Sequence, residues 1–215
     1  THGPWAQVFA ELVALPCHTC QKMTHTSSAS ATIAEAMTSI CEVTSCCNWA
    51  CVEPVKEGLK LHSSGSGGHA EMLSALEDDK VLFAVLRFTF PRPLGDSPPI
   101  VKHVFIHWIG PRVSPVRRGQ FNSKLEEAVK LIRSTSLDFC FRRTAYCEAD
   151  LELSDLINSL EKVVYDTEAY GRCMSVDWYM EGLALARRQG STRQSDSATC
   201  TDAVCQKSSP PSGGA

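Results

Sequence analysis

Two long apolar segments set the strongest constraint on how this chain can fold. The first, Val81 to Phe90, is apolar on both faces apart from Arg87, and the second runs from Ile100 to Ile109. A strand that is apolar on both faces lies in the middle of a sheet that helices cover on each side. The nine residues between the segments, PRPLGDSPP, include four prolines, which cannot join a ladder and so predict an exposed loop. We therefore expect an α/β fold built around these two strands.

Composition limits the chain to a few classes of protein. Its 215 residues are 43% hydrophobic and 21% charged, which fits one globular domain of ordinary size with tails. The sequence contains no apolar run of about 18 or more residues, and this excludes a membrane-spanning helix. The segment from Trp5 to Leu15 is short and has no basic region before it, so it is a poor signal peptide. We expect a soluble, intracellular protein.

Periodicity predicts further helices and strands around the two apolar segments. Thr32 and Glu35 are spaced as a capping box that begins a first helix, and Ser123 and Glu126 repeat that spacing for a later one. Apolar spacing and turn residues then predict strands over 48–55, 59–64 and 137–141, a short helix over 69–77 and a closing helix over 153–164. The predicted order is helix, strand, strand, helix, strand, strand, helix, strand, helix.

The two ends of the chain differ from its middle. Residues 1–30 are expected to form a poorly ordered extension, and residues 191–215, which are rich in small and polar types, a disordered tail. Residues 171–190 carry an amphipathic pattern that predicts one more helix, although no predicted strand pairs with it. The folded domain is therefore expected to span residues 31–170.

One stretch of the chain has basic residues and no acidic ones. It lies between Ser97 and Leu125, in a chain whose net charge is -3, and holds five basic residues: Lys102, Arg112, Arg117, Arg118 and Lys124. Composition alone leaves a simple solvated surface open. The functional interpretation is a surface for a negatively charged partner, with Val116 and Phe121 supplying apolar contact. Nucleic acid is disfavoured, because Phe105 and Trp108 are predicted to lie in the core rather than on the surface.

The chain has eleven cysteines, which is an odd number, so a complete set of intramolecular disulfides would leave one thiol unpaired. A reducing compartment is therefore the simpler interpretation. Cys17 and Cys20 have the two-residue spacing of a zinc or redox pair, with Cys46, Cys47 and Cys51 as candidate partners. A zinc ribbon needs a second close pair at compatible spacing, whereas Cys46 and Cys47 are adjacent. We predict no metal site.

The chain also lacks a catalytic pattern. His103 and His107 share one face of a strand, but no Cys, Asp or Glu lies nearby in sequence to complete a metal site, so structural histidines are the prediction. The glycine-rich run GSGG lacks the lysine and the Ser or Thr of a phosphate-binding loop. Without a paired nucleophile and base, we predict a protein that is not an enzyme and needs no cofactor.

Three segments carry a family resemblance. EDDKVLFAVLRFTF, KHVFIHWIG and the turn VSPVRRG closely resemble the coactosin branch of the actin-depolymerising-factor homology (ADF-H) family, with the drebrin-like branch next nearest. The order of predicted elements agrees with that family. The resemblance covers roughly Ile33 to Tyr170, and its central combination is specific: a lysine, then an aromatic-Ile-X-Trp-Ile-Gly run, then a basic turn.

The resemblance implies a mixed sheet of five or six strands between helices, in a monomer without an active site that binds actin, filaments in preference to monomers. It implies that Lys102, six positions before Trp108, is a principal filament contact and that Arg118 matches the basic residue of the turn. We add Arg117 and Lys124 at the rim of that contact and Arg112 as a weaker candidate. Gln120, Pro99 and Ile100 depart from the family pattern, which has basic residues at these positions.

The resemblance also implies a cytoplasmic location on the cytoskeleton and phosphoinositide head groups as a possible second ligand. Two other functions stay open at the level of sequence. The first is an adaptor with the same fold that docks on a different cytoskeletal partner, through the same scaffold or the helix near Trp178. The second is a zinc- or thiol-dependent enzyme built on the cysteines.

Overall fold

A computed structural model describes residues 32–92, 98–164 and 174–188 of the chain. Its strands are β1 (Trp49–Val55), β2 (Gly58–Gly65), β3 (Val81–Phe90), β4 (Ile100–Ile109) and β5 (Phe141–Ala145). Its α-helices are α1 (Ile33–Cys41), α2 (Gly68–Ala75), α3 (Pro115–Asn122), α4 (Leu125–Ser134), α5 (Leu153–Val163) and α6 (176–188). A short 3-10 helix, Glu148–Leu151, precedes α5.

The five strands form one mixed sheet in the order β2-β1-β3-β4-β5. All neighbours are antiparallel except β4 and β5, which are parallel. The two apolar segments pair along their whole length, from Val81 opposite Ile109 to Phe90 opposite Ile100, and occupy positions inside the sheet. The predicted mixed sheet between helices is therefore confirmed, with five strands.

Helices cover both faces of the sheet, because neighbouring side chains of a strand point to opposite faces. We call one side the α2–α5 face, where β3 and β4 pack on α2, α5 and α6 through residues that include Leu82, Val104, Met72, Leu156 and Tyr179. We call the other the α1–α4 face, where the strands pack on α1 and α4 through residues that include Phe83, Phe105, Met37, Val129 and Ile132. Phe105 and Trp108 are buried, as predicted.

Helix α1 begins as the sequence predicts. The Thr32 hydroxyl accepts a hydrogen bond from the Glu35 amide at 3.2 Å, and the Glu35 carboxylate accepts one from the Thr32 amide at 2.6 Å. This reciprocal pair is the predicted capping box.

The second predicted capping box, Ser123 with Glu126, is wrong. The basic turn before it is a helix of its own, α3, which begins after Ser114 with Pro115 in its first turn. Ser123 ends that helix with helical backbone angles, and its hydroxyl donates to the Gln120 carbonyl at 2.8 Å. It is therefore unable to cap α4, whose N-cap residue is Lys124.

The strand predicted over 137–141 begins later than expected, because β5 pairs with β4 only from Phe141, opposite Val104. Leu137 is 2% exposed and packs, together with Phe139, in the core of the α1–α4 face. The apolar run that suggested a strand thus fills the core as a connecting segment. The expectations for residues 1–30 and 191–215 lie outside the described residues.

Candidate functional site

Lys102 lies near the start of β4, on the α2–α5 face between Ile100 and Val104. Its partner across the ladder is Phe88 of β3. The side chain is half-buried, and none of the ion pairs found within residues 32–92, 98–164 and 174–188 includes its ammonium group. Lys102 is therefore a cation that a partner molecule can approach beside the paired ends of β3 and β4, a region that we call the Lys102 surface.

The other four candidate residues lie together beyond the opposite end of β4. With two apolar neighbours they form what we call the α3 patch: Arg112, Val116, Arg117, Arg118, Phe121 and Lys124. Val116 is 80% exposed, and the guanidinium of Arg117 lies over the Phe121 ring at 5.7 Å from its centroid. This geometry holds an exposed cation beside an apolar side chain.

The remaining basic residues of the α3 patch have partners within the protein. Arg118 donates through Nε to the Val113 carbonyl at 3.0 Å and so fixes the loop that leads into α3. Arg112 pairs with Asp78 at 3.7 Å, and Lys124 pairs with Glu127 at 2.8 Å. Glu127 is three residues after Lys124, whereas Asp78 is far from Arg112 in sequence, so the fold brings to Arg112 a carboxylate that the sequence pattern did not indicate. Arg117 is the most exposed cation of the patch that has no such partner.

The Lys102 surface and the α3 patch are separate. Seven residue steps along β4 lie between Lys102 and Ile109, which is about 23 Å at the rise of an extended strand, and α3 follows only after that. Phe121 packs against the core of the α1–α4 face, whereas Lys102 belongs to the α2–α5 face. The sequence analysis grouped the five basic residues in one surface, whereas the structure places them in two basic surfaces at opposite ends of β4.

The two histidines of β4 are enclosed by the protein. His107 is 4% exposed and its ring lies 5.3 Å from that of Phe83, while burial lowers its pKa to about 4. Nε2 of His103 lies 3.4 Å from the Ile40 carbonyl, and burial lowers the pKa of this residue also. Both therefore act as neutral packing residues near pH 7.

Cys47 and Cys51 have the environment of structural thiols, whereas Cys147 is exposed. Burial raises the pKa of Cys47 to about 11 and that of Cys51 to about 12, so neither forms a thiolate near neutral pH. Over the described ranges, no group of three or more His, Cys, Asp or Glu side chains is placed to hold a metal ion. Cys17 and Cys20 lie outside those ranges. Within the same ranges, no helix is long and apolar enough to cross a bilayer.

A family model described as cofilin/tropomyosin-type actin-binding protein matches residues 26–160. The chain belongs to this family of actin-binding proteins. The match includes Lys102 and the whole α3 patch, and it ends before α6. No curated protein sequence matches the chain.

Solved structures of the cofilin-type fold resemble this chain. Coactosin from Entamoeba histolytica superposes with a TM-score of 0.52 at 20% identity, over 62% of this chain and 94% of that protein. Human coactosin-like protein gives a TM-score of 0.50 at 21% identity, over 62% of this chain and 99% of that protein. These likenesses agree with the ADF-H fold and with the coactosin-like resemblance of the sequence.

Proposed function

We propose that this protein is a non-catalytic actin-binding protein of the coactosin type, which binds the side of actin filaments and modulates their dynamics. Membership of an actin-binding family supports the partner. The observation that carries the site is Lys102, a half-buried cation beside the paired ends of two strands, without an ion pair among the described residues.

The charges of the Lys102 surface and the α3 patch favour a filament over a monomer. An exposed ion pair contributes only about 0.2 to 1 kcal/mol, so several contacts must act together. The two surfaces lie at opposite ends of β4. A single small acidic patch on a partner therefore cannot contact both of them. A polymer repeats its acidic surface, and its field steers a basic ligand toward it over about a Debye length, with strong dependence on salt.

Phosphoinositide head groups are a proposed second ligand, since their phosphates suit the same cations. The protein is proposed to act as a monomer on the cytoskeleton in the cytoplasm. A thiol enzyme built on Cys47 or Cys51 gains no support, because burial raises the pKa of both thiols well above neutral pH.

The test is cosedimentation with actin filaments at low and moderate salt, with monomer binding measured alongside. We expect the wild-type protein to pellet with filaments, less so as salt increases, and Lys102→Glu to abolish pelleting because it places a carboxylate against an acidic surface. The melting temperature should stay nearly unchanged, since the Lys102 ammonium has no ion pair to lose within the described part of the chain.

Lys60→Glu is the matched control. Lys60 is exposed on β2, three strands away from β4 in the sheet order, and the substitution makes the same change of charge. Binding by Lys102→Glu at the wild-type level would remove Lys102 from the interface, and an equal loss in Lys60→Glu would show that net charge alone governs binding.

A further inference from the structure

The segment of the chain that matches the family ends at residue 160, so helix α6 lies outside it. It is nevertheless part of the core of this protein. Tyr179 is 1% exposed and Leu183 is 7% exposed, and both belong to the core of the α2–α5 face. The chain therefore adds an element of its own to the family fold.

The position of α6 is fixed by close backbone contacts. A Cβ atom at Gly182 would lie 2.0 Å from the Thr89 carbonyl oxygen, so only glycine allows the helix to approach β3 this closely. The Tyr179 hydroxyl accepts a hydrogen bond from the His69 amide at 2.9 Å. It thereby satisfies an amide in the first turn of α2, whose N-cap residue, Gly67, has no side chain to do so.

The same contacts place α6 beside the Lys102 surface. The Tyr179 ring lies 4.9 Å from that of Phe88, which is the residue directly opposite Lys102 in the sheet. Opposite residues of antiparallel strands have Cβ atoms about 5 Å apart. Helix α6 therefore packs over β3 beside Lys102, and part of the Lys102 side chain remains exposed.

The two flanks of α6 face different neighbours. Leu183 lies against Gly68 at the start of α2, because a Cβ atom there would be 2.7 Å from a Leu183 methyl group. At 100° per residue, Trp178 and Leu185 fall on the opposite flank, on the side away from α2. Trp178 packs partly on the core of the α2–α5 face, and Leu185 is 38% exposed.

We propose that Trp178 and Leu185 extend the Lys102 surface into one docking surface whose occupant is the actin filament, an inference that rests on the proposed function. The cation of the Lys102 surface needs apolar contact beside it, since exposed charges alone bind weakly. Leu185 supplies an exposed leucine on the flank directed away from α2. Lys102, which has no ion pair among the described residues, supplies the positive charge that complements an acidic filament.

The experiment compares Leu185→Ser with Val176→Ser in filament cosedimentation with the full chain. The two side chains are equally exposed, at 38%, but Val176 lies on the α2 flank with Leu183. We expect Leu185→Ser to raise the Kd for filaments about five-fold, because burial of an exposed leucine at an interface is lost. Val176→Ser should bind as the wild type does. Thermal melting of both variants shows whether α6 stays in place, and Leu185→Ala provides a milder variant if Leu185→Ser melts early.

Each outcome has a distinct meaning. If Lys102→Glu loses binding while Leu185→Ser and Leu185→Ala bind like the wild type, the docking role of α6 is overturned and the proposed function stands. Equal weakening by Val176→Ser also overturns it, because the effect would not belong to the flank of Leu185. If the wild-type protein fails to pellet with filaments at low salt, the proposed function and this inference fall together.

Discussion

Arg87 joins the sheet to the end of the first helix. It is 1% exposed, and its guanidinium donates to the carbonyls of Ile40 at 3.1 Å, Glu42 at 2.5 Å and Ser45 at 2.6 Å. The last carbonyls of a helix have no partner within it and carry partial negative charge, so a buried cation stabilises them. Burial lowers the pKa of Arg87, yet arginine remains charged at neutral pH. Strand β3 is thereby anchored to the end of α1 and to the segment that connects α1 to β1.

Replacing Arg87 should destabilise the protein more than any substitution of an exposed arginine. We expect Arg87→Met to lower the free energy of unfolding by about 3 kcal/mol, because the carbonyls of Ile40, Glu42 and Ser45 each lose a charged donor. Arg117→Met is the control, since Arg117 is exposed and its guanidinium lies over the Phe121 ring, and it should change stability by less than about 0.5 kcal/mol. Urea unfolding of both variants measures the difference, and equal midpoints would contradict this role for Arg87.

At the scale of elements, small residues determine where α3 begins and ends and how closely α6 packs on β3. Ser114 and Pro115 start α3 where the sequence suggested only a turn, and the break at Ser123 separates α3 from α4. Helix α6 approaches β3 through Gly182, with no space for a larger residue. Gly119 differs, because it lies within α3 and a Cβ atom there would have no atom within 4 Å.

This difference predicts opposite effects for two identical substitutions. Gly182→Ala should lower the melting temperature, since its methyl group would overlap the Thr89 carbonyl and push α6 away from β3. Gly119→Ala should raise the free energy of unfolding by about 0.5 to 1 kcal/mol, because alanine in an exposed helix loses less backbone entropy on folding. Differential scanning calorimetry of the two variants measures both changes in stability. A Gly182→Ala protein that melts at the wild-type temperature would argue against the close packing of α6 on β3.

At the scale of the whole molecule, two buried histidines, His69 and His107, and the half-buried His103 couple stability to pH. Burial lowers the pKa values of His69, His103 and His107 in the folded protein, that of His107 to about 4 from its ordinary value of 6.5. The unfolded chain therefore binds more protons than the folded one below about pH 6.5, so stability decreases as pH falls through this range. Above that range all three histidines are neutral in both states and contribute no slope.

We expect the free energy of unfolding to fall between pH 7 and pH 4, with about 3 kcal/mol of that loss due to His107. His107→Phe keeps a ring against Phe83 and removes the titrating group, so its stability should depend less steeply on pH. Urea unfolding of both proteins at several pH values measures the two slopes. Parallel slopes would show that His107 is not the main source of the effect.

The sequence predicted the layout of the molecule better than its contacts. The length and apolarity of β3 and β4 are enough to place them inside the sheet, because both patterns are local. The partners of Arg87 are 42 to 47 residues away in sequence, and Asp78 lies 34 positions before Arg112, so neither pairing has a local signal. The separation of Lys102 from Arg118 likewise depends on the direction of β4, since residues that are close in sequence lie far apart when a long strand connects them.

The hydrogen bond from the His69 amide to the Tyr179 hydroxyl spans 110 residues of chain. During synthesis, the start of α2 and the rings of Phe88 and Phe90 leave the ribosome long before the helix that covers them. The apolar surface of Phe88 and Phe90 therefore stays uncovered in the nascent domain until Tyr179 has emerged, and an uncovered apolar surface is prone to aggregation.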